Sequence, residues 1–162
     1  MTVNLIAQFG SNPGVVYLEA AKRILCYLKS TTNFGLVLRR QTKGSFNLVG
    51  WTNSNWAQDL DDHRSVGGFI FDIAGGSISW SSKKQPTLAT SLVEVEYIAL
   101  ASTIKEAVGL YTLLEELDFP QITATIINTD NQDCIALAYN LVGYSCAKHI
   151  DIWYHFIQKY IE

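Results

Sequence analysis

Proline is scarce, with three in 162 residues. Cysteine is equally scarce: Cys26, Cys134 and Cys146 stand far apart. An odd, dispersed set does not form a disulfide framework, and it points to a reducing compartment. Charge is also low. Charged residues make up 17 %, with 12 Lys and Arg against 15 Asp and Glu, a formal net charge of -3. A chain with that balance is no basic nucleic-acid wrapper, so any contact with nucleic acid must come from a local patch. No run approaches the roughly 18 apolar residues of a membrane span. The opening MTVNLIAQFGSNPG lacks a basic start and a long apolar core, so no signal peptide is expected. We therefore expect an intracellular, cytoplasmic chain with no membrane partner. What is present is apolar: 48 % of residues are hydrophobic. That suffices for a core and predicts one domain of ordinary size with an appendage.

The order of elements can be read from spacing. Asn12 and Pro13 suit a helix start, and Leu18, Ala21, Leu25 and Leu28 recur at helical spacing up to about Thr31. A short extended piece, Phe34 to Arg40, and a polar turn or linker, Arg39 to Ser45, follow. Strands are expected at 46–53, 66–73 and 77–82, the last two joined at Ala74-Gly75-Gly76. Thr87 to Leu117 reads as a long helix opened by a Ser91–Glu94 capping box and closed by Pro120. The β-branched run at 123–129 reads as a buried strand ending at Asp130. Asn131 caps a helix from Gln132 to Tyr139, and Ala147 to Ile161 forms a last helix. Hairpin strands followed by β-α units predict an α/β fold with a mixed sheet and helices packed on it.

Acidic residues at strand ends and on the long helix are the candidates for chemistry. If the strand before Asp130 lies beside the first strand, its end meets Thr52–Trp56. Carboxylates converging there suit hard divalent cations, and a pair of such ions drives phosphodiester cleavage. From spacing alone, a strand-ending Asp more often caps a turn. Glu94 serves the capping box, and Asp59, Asp61 and Asp62 read as a solvated loop. Lys83 and Lys84, with Arg39, Arg40 and Lys43, form either a phosphate-binding patch or a solvated basic turn. His149, Asp151 and His155 lack the ligand set of a metal site. Trp153, Tyr154 and Phe156 read as core, and the cysteines as buried thiols.

Several ordered motifs narrow this. The segment WTNSNWAQDLDDHRSVGGFIFDIAGGSISWSSKKQPTLATSLVEVEYIALASTIKEA, then TDNQDCIALAYN and KHIDIWYHFI, closely resembles the RNase H domain of copia-type LTR retrotransposon polyproteins. NPGVVYLEAAKRILCYLKSTTNFGLVL resembles the stretch that joins reverse transcriptase to that domain. The resemblance runs from about Leu5 to Ile161. It implies a connection segment at 1–44 and a ribonuclease H-like domain at 45–162, with a five-stranded mixed sheet and helices on both faces. It also implies cleavage of RNA in RNA–DNA hybrids with Mg²⁺ or Mn²⁺ at four acidic residues. The reverse transcriptase domain of the same polyprotein would be the partner, and a virus-like particle the setting.

By the same resemblance the catalytic and metal-binding acids fall on Glu96, in VEVEYIAL, and on Asp130, in TDNQ. Two positions depart from the pattern. The family's S-D-A-D-W motif reads Thr52-Asn53-Ser54-Asn55-Trp56, so the first catalytic aspartate is Asn53. The fourth acid belongs to a strand and helix beyond KHIDIWYHFI, which implies a C-terminally truncated domain. An amide gives a hard cation one neutral oxygen where a carboxylate gives a full charge. The expectation is a degenerate nuclease with weakly bound Mg²⁺ and impaired hydrolysis. The alternatives are a non-catalytic module that binds nucleic acid or protein, and a retroelement relic.

Overall fold

The computed structural model describes residues 2–39, 46–56, 63–139 and 151–161, with the side chain of Asp151 outside the description. Arg40, Lys43, Asp59, Asp61, Asp62, Cys146 and His149 lie outside the described residues. The chain divides into two units, Met1–Val37 and Leu38–Glu162.

The first unit holds α1 (Thr2–Ala7) and α2 (Val15–Ser30). α1 is only six residues long and carries no helix signal in the sequence. Gly14, not Asn12, is the N-cap of α2, and Thr31 ends it by donating its N–H to the Tyr27 and Leu28 carbonyls. Phe9 stacks on Tyr17 with ring centroids 4.0 Å apart. No residue of α2 is buried, so Leu18, Leu25 and Leu28 form an exposed apolar stripe. The expected extended piece after it takes no strand partner; residues 34–39 are irregular.

The second unit is a mixed α/β arrangement. Its strands are β1 (Val49–Asn55), β2 (Val66–Ile73), β3 (Gly76–Lys84) and β4 (Ile126–Asn128), and its helices α3 (Leu92–Glu116), α4 (Gln132–Tyr139) and α5 (Asp151–Gln158). The sheet order is β3-β2-β1-β4. β1 runs antiparallel to β2, and β2 to β3, while β1 and β4 are parallel.

Expected and observed boundaries differ for physical reasons. β1 starts three residues later than expected and takes in the polar run Asn53–Asn55. Pairing decides this: Asn53, Ser54 and Asn55 are matched to Gly68, Gly67 and Val66 of β2. The β2–β3 turn falls at Ala74–Gly75, where both residues have positive φ (52° and 77°), as a two-residue hairpin demands. β4 is neither long nor buried. Ile126 is 66 % exposed, and the preceding Thr123 and Thr125 are engaged by the Tyr111 hydroxyl from α3 instead of the sheet. At the start of α3, Ser91 Oγ accepts from Glu94 N–H as expected. The Glu94 carboxylate, however, accepts from Thr90 N–H and Thr90 Oγ1, so the reciprocal half of the capping box sits one residue earlier. Asn131 Oδ1 caps α4 by accepting from Cys134 N–H at 2.8 Å.

Alternation gives the sheet two faces. Gly50, Thr52 and Ser54 of β1 are buried, and Trp51 and Asn53 are exposed. The buried face lies under α3, since Ser79 Oγ donates to Glu106 at 2.6 Å and a Cβ on Gly67 would stand 3.3 Å from Ala99 Cβ. Two clusters fill this layer. Leu48, Phe71, Ala107 and Leu110 form one. Tyr97, Leu100, Ala101, Ile104, Cys134, Ala138 and Ile157 form the other, with Trp153, Tyr154 and Phe156 packed against it as core. Among the described residues, the helices of this unit gather on the α3 face of the sheet. α4 and α5 contact α3, and the row Trp51–Ile70–Trp80 on the opposite face stays exposed.

Candidate functional site

The two parallel strands β1 and β4 run out at the same end of the sheet. Trp51 is level with Asn128. Two residues further along each chain come Asn53 and Asp130, and both line one cavity of about 540 Å³. Trp51, Ile70, Gly68, Asn128 and Thr129 complete much of its wall. The expected meeting of Asn53 with Asp130 is thus present.

Glu96 approaches from the other side. It sits in the second turn of α3 and is 4 % exposed, beneath β1 and outside the cavity lining. Burial pushes its carboxyl above the ordinary value; Ser54 pulls the other way through its hydroxyl and backbone, and the negative charge of Asp130 raises it further. Glu96 and Asp130 are therefore close enough to feel each other. Ser54 Oγ, Thr52 Oγ1 and Glu96 Oε2 are buried and make no hydrogen bond of ordinary geometry among the described residues. Cys134 is packed nearby. Burial pushes its thiol up to about 12, helped by the charge of Glu96. Tyr97 is also driven above its usual range, first by burial and then by Tyr154 and Cys134. Cys134 is a buried thiol as expected, whereas Cys26 is exposed.

The raised Glu96 value fixes a pH dependence. The folded chain holds the proton more tightly than the unfolded one, whose value lies near 4.5. The stabilising effect is complete below that value and is lost as pH rises through the folded value. Glu96→Gln keeps the shape and cannot ionise. It should match the parent near pH 4 and exceed it in stability at neutral pH. Urea midpoints across that range check this, and parallel curves would contradict it.

Among the described residues, Arg39 lies apart from Lys83 and Lys84. Lys83 and Lys84 pair with Gly67 and Val66 at the end of β3, and those in turn pair with Ser54 and Asn55. They are therefore two strands, about 10 Å, from β1 near the site end. Arg39 donates its N–H to Ala74 O at the β2–β3 turn, at the other end of β2. His155 packs edge-on against Tyr154.

The donor set does not fit a pair of Mg²⁺ or Mn²⁺ ions. No group of three or more His, Cys, Asp or Glu that could hold a metal occurs among the described residues. Glu96 is buried beneath β1, and Asn53 brings a neutral amide where a bridging carboxylate is needed. Sequence reasoning missed Trp51 and Ser54. Strict alternation along β1 was the available signal: it sets Trp51 beside Asn53 on one face and Ser54 toward Glu96 on the other.

No described helix is long and apolar enough to cross a membrane. No protein-family model matches the chain. Over 161 residues, 99 % of its length, it is 37 % identical to the retrovirus-related Pol polyprotein from transposon TNT 1-94 of Nicotiana tabacum, covering 12 % of that protein. Over 160 residues it is 38 % identical to the Pol polyprotein from transposon RE1 of Arabidopsis thaliana, covering 11 % of it. A shorter relative, secreted RxLR effector protein 161 of Plasmopara viticola, is 44 % identical over 108 residues, which is 67 % of this chain and 75 % of that protein. The chain thus spans about an eighth of the length of the Pol polyproteins it matches. Similarity that runs along all but 1 % of the chain supports an origin in a copia-type retrotransposon Pol polyprotein.

Proposed function

We propose that the chain is the ribonuclease H-like part of a copia-type Pol polyprotein, one that engages RNA–DNA hybrid beside the reverse transcriptase domain and has lost most of its hydrolytic power. One observation carries the reading. The parallel pairing of β1 with β4 brings Asn53 and Asp130 to one cavity, with the Glu96 carboxylate beneath the same strand. A nuclease of this class needs acids from those three elements at one place, and two of the three are acids here. The amide at position 53 supports retained binding over retained cleavage, because it costs cation affinity and leaves the surface intact.

Binding is tested with a labelled RNA–DNA hybrid and the full chain. Affinity should fall with salt, because each Lys or Arg contact with a phosphate releases condensed counterions, and the slope should be shallow for a chain with few cations. Hybrid should be preferred over a DNA duplex of the same sequence, through the 2′-hydroxyls. Equal affinity for the two duplexes, or none for either, overturns the proposal.

A further inference from the structure

The face of the sheet turned away from α3 has a site with two kinds of wall. Trp51, Ile70 and Trp80 are neighbours in register across β1, β2 and β3, exposed by 42 %, 45 % and 65 %. The cavity beside Asn53 and Asp130 shares Trp51 and Ile70 with this row. Its other wall is polar: Asn53, Asn128, Thr129 and Asp130. Asn128 is fixed by donating Nδ2–H to Gly50 O at 3.1 Å. No described residue ties up the Asn53 amide in a hydrogen bond. Gly68 contributes no side chain to fill the space, and a Cβ there would stand 2.9 Å from Ser81 O.

This mixture selects among occupants. A second copy of the chain would need about 20–30 residues a side for a stable interface, far more than the row offers. An apolar helix laid across the row would cover the Asn53 amide and the Asp130 carboxylate without partners, which is costly. A bare divalent cation would find there one carboxylate, Asp130, beside neutral amide and hydroxyl oxygens. A flat aromatic ring with a polar edge answers both walls at once: its face meets an indole, and its edge meets an amide that both donates and accepts. The volume also suits a ligand of that size.

We propose that this cavity takes one unpaired nucleobase of a single-stranded nucleic acid, its ring stacked on Trp51 and its polar edge read by Asn53. Adenine is the preferred base, because an Asn amide matches its adjacent acceptor and amino donor with two hydrogen bonds. The neutral amide is what permits this. A carboxylate at 53 would lose the donor and add a second charge beside Asp130. Binding is therefore independent of metal. The inference rests on the reading that this chain meets nucleic acid, and the arms of the test separate it from the binding of hybrid.

The test is fluorescence anisotropy of the full chain with labelled oligo(A) RNA, oligo(U) RNA and an RNA–DNA hybrid, in EDTA at low salt. Oligo(A) should bind more tightly than oligo(U). Trp51→Ala should weaken oligo(A) about tenfold or more, and Trp51→Phe, which keeps a stacking ring, by no more than about threefold. Asn53→Asp should weaken oligo(A) about tenfold and erase the base preference. Single-strand binding that survives Trp51→Ala overturns the proposal. So does an equal loss in Trp51→Phe and Trp51→Ala, which would mark a fold defect. Hybrid binding with no single-strand binding overturns it and leaves the hybrid reading standing. Trp51-dependent single-strand binding with no hybrid binding supports it and overturns the hybrid reading.

Discussion

Incubated with an RNA–DNA hybrid and Mg²⁺, the chain should cleave at least about a thousandfold more slowly than an otherwise similar domain with a complete acidic cluster. The estimate follows from charge. A correctly held ion pair contributes several kcal/mol of transition-state stabilisation, and each 1.36 kcal/mol is about tenfold in rate. Asn53 supplies no charge, which leaves the Asp130 carboxylate in the cavity lining and the Glu96 carboxyl buried beneath β1. Asn53→Asp should raise cleavage measurably, because it places a carboxylate in the cavity beside Asp130. It should stay well short of a full nuclease, because Glu96 remains buried beneath β1 and outside the cavity lining. The assay follows a labelled hybrid in Mg²⁺ and then Mn²⁺, with Glu96→Gln as control. Rapid cleavage by the unmodified chain that disappears in Glu96→Gln would show that the amide is no obstacle.

Phe71→Ala should cost about 3–5 kcal/mol of stability, near the top of the range for a large core side chain. Phe71 has no exposed surface and packs with Leu48, Ala107 and Leu110 between sheet and α3. Its ring also fills the place of a missing side chain, since a Cβ on Gly50 would lie 2.7 Å from Phe71 Cε1. With the ring gone, glycine has nothing to lower into the hole, so collapse is limited. Thermal melting should fall by about 10 °C. Trp80→Ala, at a side chain 65 % exposed, should change stability by less than about 1 kcal/mol. Equal losses in the two variants would mean that the core lies elsewhere.

The sequence by itself determined the element order from α2 onward and the type of every strand and helix from β1 to α4, because local signals set these. The Ser91 and Asn131 caps, the apolar run of α3 and the turn at Ala74–Gly75 each act within a few residues. That position 53 is an amide is also sequence, since chemistry at a position is sequence, whereas Glu96 and Asp130 were singled out by the resemblance and not by a local pattern. Tertiary structure decided the rest. Where β1 begins depends on its ladder with β2, which no local pattern in VGWTNSN encodes. The shortness of β4 depends on a tyrosine from α3 that holds Thr123 and Thr125 off the sheet. The basic residues looked like one patch in the sequence, but the length of β2 separates Arg39 from Lys83 and Lys84. The raised proton affinity of Glu96 and the partnership of Trp51 with Asn53 required the sheet to exist. Both follow from the two-residue period of β1, which sends neighbours to opposite faces: one is dry beneath α3, where burial raises a carboxyl above its ordinary value, and the other is open to a ligand.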